Sequence, residues 1–254
     1  MGTVITRDGL TIHYEVFPGP LPVLLVHGFA SNAELTWKQT GWISALAAAG
    51  RGAITVDLRG HGASDKPSDP GAYSPERLAA DIRSVLDVEH VGAVDIIAYS
   101  MGCQVVRALV DNHAGHVRSL VLGGVGSTEL FATWDIAAVR SFLVDGRAVD
   151  RGVAAFLTAA LSAPGADRVV LAACIEGMAA HVVTSIPPVR TLVIAGDKDE
   201  VASDAESFAT VLGAQFATIP GRNHWNALSA RSFKARSIAF MTESIKSLEP
   251  LTYP

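Results

Sequence analysis

The chain predicts an α/β fold built on a doubly wound, mostly parallel sheet with one helical insertion. Three features carry that expectation. Short apolar runs recur between turn residues: Val23–Val26, Ala53–Val56, Val94–Ala98, Ser119–Leu122 and Thr191–Ala195. They are rich in Val, Ile and Leu and mostly do not alternate with polar residues, as strands buried on both faces require. Helical spacing fills the stretches between them. One gap, from Leu122 to Thr191, is far too long for a single crossover.

At the N-terminus, stretches around Val4 and over Thr11–Val16 fit an antiparallel edge hairpin turned at Asp8-Gly9. The first four apolar runs then start about 25 to 40 residues apart, the spacing of βαβ units. Between them, Leu78, Ile82, Val85 and Leu86 share one helical face. Ser74 before Pro75 supplies an N-cap followed by Pro at the first helical position. Met101–Val110 reads as a helix that starts directly after a strand. Residues 127–185 are Ala-rich, with Ile136, Val139 and Leu143 and then Phe156, Leu157 and Leu161 at helical intervals. A structureless loop of that length is improbable on physical grounds. The segment is therefore expected to form a helical cap or lid inserted into a core of residues 1–126 and 186–254, with Pro187-Pro188 marking the return. Gln215–Ile219 is the candidate last strand. Ile238, Met241 and Ile245 share a face of the last helix.

Composition narrows the function. Of 254 residues, 49% are apolar and 18% charged, enough for one large buried core and too apolar for disorder. The net charge is −5 and no Lys/Arg cluster stands out, so nucleic-acid binding has no electrostatic footprint. Cys103 and Cys174 suggest neither a disulfide framework nor a metal site; both read as small buried thiols. No metal or cofactor is expected. Met1–Leu10 is polar, without the apolar stretch of a signal peptide, and no apolar run reaches membrane-span length. A soluble, cytoplasmic protein follows as the default expectation. Oligomeric state has no signature.

The candidate chemistry centres on Ser100, in Ala98-Tyr99-Ser100-Met101-Gly102. A serine at a strand-to-helix elbow is held in a tight turn with its hydroxyl exposed at the C-terminal edge of the sheet. Small residues two before and two after allow the turn, and Ala98 stands where Gly is usual. A serine needs a base. His224, in the loop between Gln215–Ile219 and the last helix, is the one of eight histidines placed in a late post-strand loop. His90, His113 and His116 read as surface residues, His13 as part of the edge hairpin, and His181 as part of the insertion. An acid must orient the base, and Gly196-Asp197-Lys198-Asp199 follows the strand Thr191–Ala195. Either carboxylate fits at this point. The backbone N–H groups of Phe29, in His27-Gly28-Phe29-Ala30, and of Met101 are candidates for an oxyanion hole. The insertion supplies Phe131, Trp134, Phe142 and Phe156 for a pocket. Trp134, Phe142 and Trp225 are the expected substrate contacts.

Together these pieces resemble the α/β-hydrolase superfamily. Asp57-Leu58-Arg59-Gly60-His61-Gly62-Ala63-Ser64-Asp65-Lys66-Pro67 is especially similar to that family's loop after its fourth strand. The resemblance runs from about residue 10 to 245, with the insertion at the usual cap position. It implies the chain order Ser, Asp, His, and it favours Asp199, three residues after Gly196, over Asp197 as the acid. Pro often follows that Asp by two residues; here Val201 does. The resemblance also implies a structural role for Asp57, Arg59 and His61. Ser at position 100 speaks against haloalkane dehalogenases and epoxide hydrolases, which use Asp there. The expected activity is that of a carboxylesterase acting on a small or medium apolar ester through an acyl-enzyme. Lactonases, C–C bond hydrolases and cofactor-free haloperoxidases with the same three residues are the alternatives within the family. A ligand receptor or signalling protein with the three residues retained is the alternative from another class.

Overall fold

The computed structural model describes residues 1–183 and 189–246. Pro187, Pro188 and the expected 185/186 boundary lie outside the described residues, as do the side chains of His113 and Ile245. Eight strands form one sheet: β1 (Gly2–Ile5), β2 (Thr11–Phe17), β3 (Val23–Val26), β4 (Ala53–Val56), β5 (Val94–Tyr99), β6 (Val117–Gly123), β7 (Thr191–Gly196) and β8 (Gln215–Ile219). Their order is β1-β2-β4-β3-β5-β6-β7-β8. The β1–β2 and β2–β4 pairings are antiparallel and all others parallel. β3, β4, β5 and β7 are buried at every position, as their largely apolar sequences require, and the one charge among them, Asp95 of β5, is paired with Arg51 and Arg118.

The α-helices among the described residues are α1 (Trp42–Ala48), α2 (Pro75–Val88), α3 (Met101–His113), α4 (Ile136–Asp145), α5 (Arg151–Leu161), α6 (Arg168–Ala179), α7 (Ala205–Val211) and α8 (Arg231–Lys246). Ser74 caps α2 by accepting the Arg77 N–H. One face of the sheet packs against α2, α3 and α7 through residues such as Ile82, Val106 and Phe208. The other packs against α1 and α8 through Trp42, Leu46, Phe233 and Met241. The sheet is thus covered on both faces.

Order along the sheet locates the site. From β3 the chain steps to β4 on one side and then crosses to β5 on the other. The loops leaving β3 and β5 therefore diverge, which opens a crevice at the C-terminal ends of these strands. Ser100 follows β5, and His27-Gly28-Phe29 follows β3.

Helices α4, α5 and α6 all fall between β6 and β7. Their buried residues Val139, Leu143, Leu157, Leu171 and Ile175 join the same apolar cluster as α2 and α3. The insertion thus shares the core beneath it. α3 also ties down both ends of the insertion. Buried Arg107 donates to Glu129 at 2.7 Å and to the Val183 carbonyl, and Gln104 donates to the His181 carbonyl at 2.9 Å.

Candidate active site

Ser100 has φ 54° and ψ −127°, a strained backbone for a residue with a side chain. The surrounding chain enforces it. The Ser100 N–H donates to the Gly123 carbonyl at 2.8 Å, and the Ser100 carbonyl accepts from Cys103 at 2.8 Å. Ala98 lies fully buried between Val26 and Leu122 in the sheet, so the departure from Gly is filled by a methyl group. Gly102 has no such freedom. A Cβ there would lie 2.5 Å from the His27 carbonyl oxygen and 2.8 Å from that of Val26.

Ser100 Oγ lies 2.9 Å from His224 Nε2. His224 Nδ1 lies 3.1 Å from both carboxylate oxygens of Asp199. Facing a carboxylate, Nδ1 carries the proton and donates it; Nε2 is left to accept from the serine hydroxyl. Asp199 is 4% exposed and His224 7%, so the pair interacts with little solvent screening. Asp199 Oδ1 also accepts from the N–H groups of Val201 and Ala202, and these bonds fix the carboxylate plane. Asp197 faces elsewhere: it is exposed and accepts from the Gly221 N–H at 2.7 Å, tying the two loops together. Val201 serves here through its N–H, which a Pro at that position could not donate.

The sequence held no signal for Tyr99. Its hydroxyl donates to the His224 carbonyl at 2.6 Å, and its ring lies 5.4 Å from the imidazole. Buried Tyr99 therefore clamps the His224 loop from the residue next to the serine.

The Phe29 and Met101 N–H groups have no hydrogen-bond partner among the described residues. The loop carrying Phe29 lies close over the serine, since a Cβ on Gly28 would come within 3.1 Å of Ser100 Cβ. His27 sets its orientation. His27 Nδ1 donates to the Gly28 carbonyl at 2.8 Å, while its Nε2 accepts the Leu58 N–H at 3.0 Å. Every described peptide bond is trans, so fixing the Gly28 carbonyl also fixes the opposed Phe29 N–H. Burial, partly opposed by the charge of Asp57, lowers the pKa of His27 and keeps the ring neutral. His61, 5.3 Å away centroid to centroid, is lowered to about 3 by burial and by His27. Asp57 accepts from the N–H groups of Ala33 and Ala63, and Arg59 pairs with Asp81 and Asp8. These contacts hold the loop scaffold in place.

Two cavities meet at His224, and the smaller of them also reaches Ser100. The smaller, about 240 Å³, is lined by Gly28, Phe29, Leu35, Ser100, Ala163 and Leu228, among others. The larger, about 600 Å³, is lined by Trp134, Asp150, Val153, Lys198, Glu200 and Asn223, among others. Phe156, His224 and Trp225 line both. Trp134 and Trp225 thus stand where substrate contact was expected. Phe142 does not. It sits on α4 beside buried Val139 and Leu143, packs against the core and lines neither cavity. Helix α5 takes that place through Phe156, whose ring meets Trp134 at 5.4 Å, Trp225 at 5.2 Å and His224 at 6.5 Å. Phe131 is buried with its edge against Phe29, so it supports the loop over the serine. Cys103 and Cys174 are both buried, with thiol pKa values pushed up by burial. Among the described residues, no group of acidic, His or Cys side chains could hold a metal ion, and no helix is long and apolar enough to cross a membrane.

A family model described as alpha/beta hydrolase fold matches residues 22–162. An epoxide hydrolase of Caballeronia sordidicola is 32% identical over 99 residues, covering 39% of this chain and 29% of that protein. A non-heme chloroperoxidase of Kitasatospora aureofaciens is 33% identical over 118 residues, covering 46% of this chain and 41% of that protein. The matches thus span less than half the length of these relatives. Among solved structures, a thermophilic esterase from Thermogutta terrifontis superposes with a TM-score of 0.72 at 21% identity, covering 98% of this chain and 99% of that one. That likeness is one of fold.

Proposed function

The chain belongs to the α/β-hydrolase fold family, and from that premise we propose that it is a serine hydrolase that cleaves carboxylic esters of small or medium apolar acids. The observation that carries this reading is the buried hydrogen-bonded line from Ser100 Oγ through His224 to Asp199, open to two cavities.

In the first step His224 Nε2 takes the hydroxyl proton as Ser100 Oγ attacks the ester carbonyl. Asp199 stabilises the imidazolium without accepting its proton. The Phe29 and Met101 N–H groups hold the oxyanion of the tetrahedral intermediate, aided by the N-terminus of α3. Collapse breaks the C–O bond to the alcohol, which leaves with the proton from His224. In the second step His224 activates a water that attacks the acyl-enzyme. The second tetrahedral intermediate expels Ser100, which takes back its proton, and the carboxylic acid departs. Helices α4–α6 act as a cap that excludes bulk water and shapes the acid and alcohol sites.

A serine at position 100 disfavours mechanisms that need a carboxylate nucleophile there. Lactone, C–C bond and haloperoxidase chemistry can use the same three side chains, so substrate panels separate them. The expected result is turnover of p-nitrophenyl acetate and butyrate. Ser100→Ala and His224→Ala should each lower kcat by roughly 10⁴-fold or more. Full turnover by Ser100→Ala sinks the assignment. Covalent labelling of Ser100 with negligible turnover across esters and lactones would favour the receptor reading instead.

A further inference from the structure

We propose that Phe156 divides the cleft into an acyl compartment and a leaving-group compartment, and so selects esters that join a short apolar acid to a larger polar alcohol. This rests on the acyl-transfer reading above. That chemistry assigns the two cavities separately. The acyl carbonyl must reach both Ser100 and the Phe29 N–H, and the 240 Å³ cavity is lined by Ser100, Gly28 and Phe29. The leaving oxygen must reach His224, which protonates it. The 600 Å³ cavity is lined by His224 but not by Ser100. It therefore takes the alcohol.

The linings differ in chemistry. Around the acyl cavity, Phe29, Leu35, Ala159 and Leu228 supply apolar surface beside hydroxyl residues such as Thr36 and Ser229, and no Asp, Glu, Lys or Arg lines it. Its volume falls below the roughly 300–1,000 Å³ of sites that hold a whole drug-sized ligand. A short acyl chain fits it, and a single methylene against apolar walls is worth roughly 10- to 200-fold in discrimination. Asp150, Lys198, Glu200 and Asn223 line the other cavity alongside Trp134 and Trp225. That mixture suits an alcohol with an aromatic or apolar body and hydroxyl or amino substituents.

Phe156 is the wall between them. It lines both cavities, lies 6.4 Å from the Phe29 ring on the acyl side and meets Trp134 and Trp225 on the other. Truncating it joins the compartments. Ala163 lines only the acyl cavity, so enlarging it narrows that compartment alone.

The test combines a p-nitrophenyl ester series, acetate to decanoate, with fluorophosphonates bearing methyl, butyl or octyl arms. The phosphonates report access to Ser100 without requiring turnover. Phe156→Ala should raise the octanoate-to-butyrate ratio of kcat/KM at least tenfold, and the octyl-to-methyl ratio of inactivation rates similarly. Ala163→Phe should lower both ratios at least tenfold. Ratios within twofold of the parent in folded Phe156→Ala overturn the partition; if that variant does not fold, unchanged ratios in Ala163→Phe do so. Ser100 labelling with no turnover of any ester removes the esterase reading alone, since the inactivation ratios still test the wall.

Discussion

At the scale of single residues, the site consists of groups whose chemistry each requires a neighbour. Ser100 needs a base, the base needs an orienting acid, and the oxyanion needs donors without other partners. The sequence reveals such requirements because few positions offer each group in the right order. It left Asp197 and Asp199 both open on chemistry alone. The structure separates them: Asp199 meets His224, while Asp197 accepts from Gly221. Asp199→Asn should therefore lower kcat by roughly 10³- to 10⁴-fold, because an amide facing Nδ1 favours the wrong imidazole tautomer. Asp197→Asn should change kcat by less than about fivefold, since the amide oxygen can still accept from the Gly221 N–H and only an exposed charge is lost. Steady-state kinetics on one ester compare the two, and equal losses would reverse the assignment. Phe142 and Phe156 show where residue reading stops. Both lie in helical stretches of the insertion, but which aromatic faces His224 depends on how α4 and α5 are rotated on the core.

At the scale of elements, buried strands were legible nearly to the residue. β3 and β4 coincide with their apolar runs, β5 and β7 each extend one residue further, β6 extends three further as Val117–Gly123, and the half-exposed β8 coincides with the stretch read as the last strand. Helices followed their stripe. α2 declares itself by one apolar face and its Ser74 cap, whereas α6 is apolar on almost every side, with Val170–Ile175 all buried. A helix buried all round has no stripe to read, so the insertion was legible as helical without its third helix being separable. α1 and α7 have seven residues each, too short for a periodic signal. The anchoring of the insertion was also invisible, because Arg107 and Glu129 come together only in three dimensions. Burial pushes the Glu129 carboxyl pKa up, and Arg107 opposes that shift. Glu129→Ala strands a buried guanidinium and should cost about 3–5 kcal/mol in urea unfolding. A cost below about 1 kcal/mol would show that the pair does not hold the insertion.

At the scale of the whole molecule, the fold class was read from buried parallel runs, and the site follows from strand order. The crossing from β4 over β3 to β5 brings the Phe29 loop and the Ser100 elbow to one crevice. The loop scaffold beneath includes two histidines, His27 and His61, held neutral by burial, and these give the molecule an acid sensitivity. Their folded-state pKa values lie below the ordinary imidazole value, that of His61 at about 3. Stability is then fully present above about pH 6.5 and falls as the unfolded chain takes up protons the folded chain refuses. Each ring contributes up to about 1.4 kcal/mol per pH unit in that range. From pH 6.5 to 5 His61 alone should remove about 1.6 kcal/mol of unfolding free energy, His27 adds to the loss in the same direction, and His61→Gln should abolish the His61 share. Urea titrations at the two pH values measure it, and identical losses in the two proteins would contradict it.

The central claim is that the protein's reactive nucleophile is Ser100, made so by His224. Intact-protein mass spectrometry after brief exposure to a fluorophosphonate tests this most directly. A single adduct, mapped by peptide sequencing to Ser100, is expected on the parent protein. Ser100→Ala should give none, and His224→Ala should label at least roughly a hundredfold more slowly. Equal labelling of the parent and Ser100→Ala, or an adduct at another residue, would contradict the account.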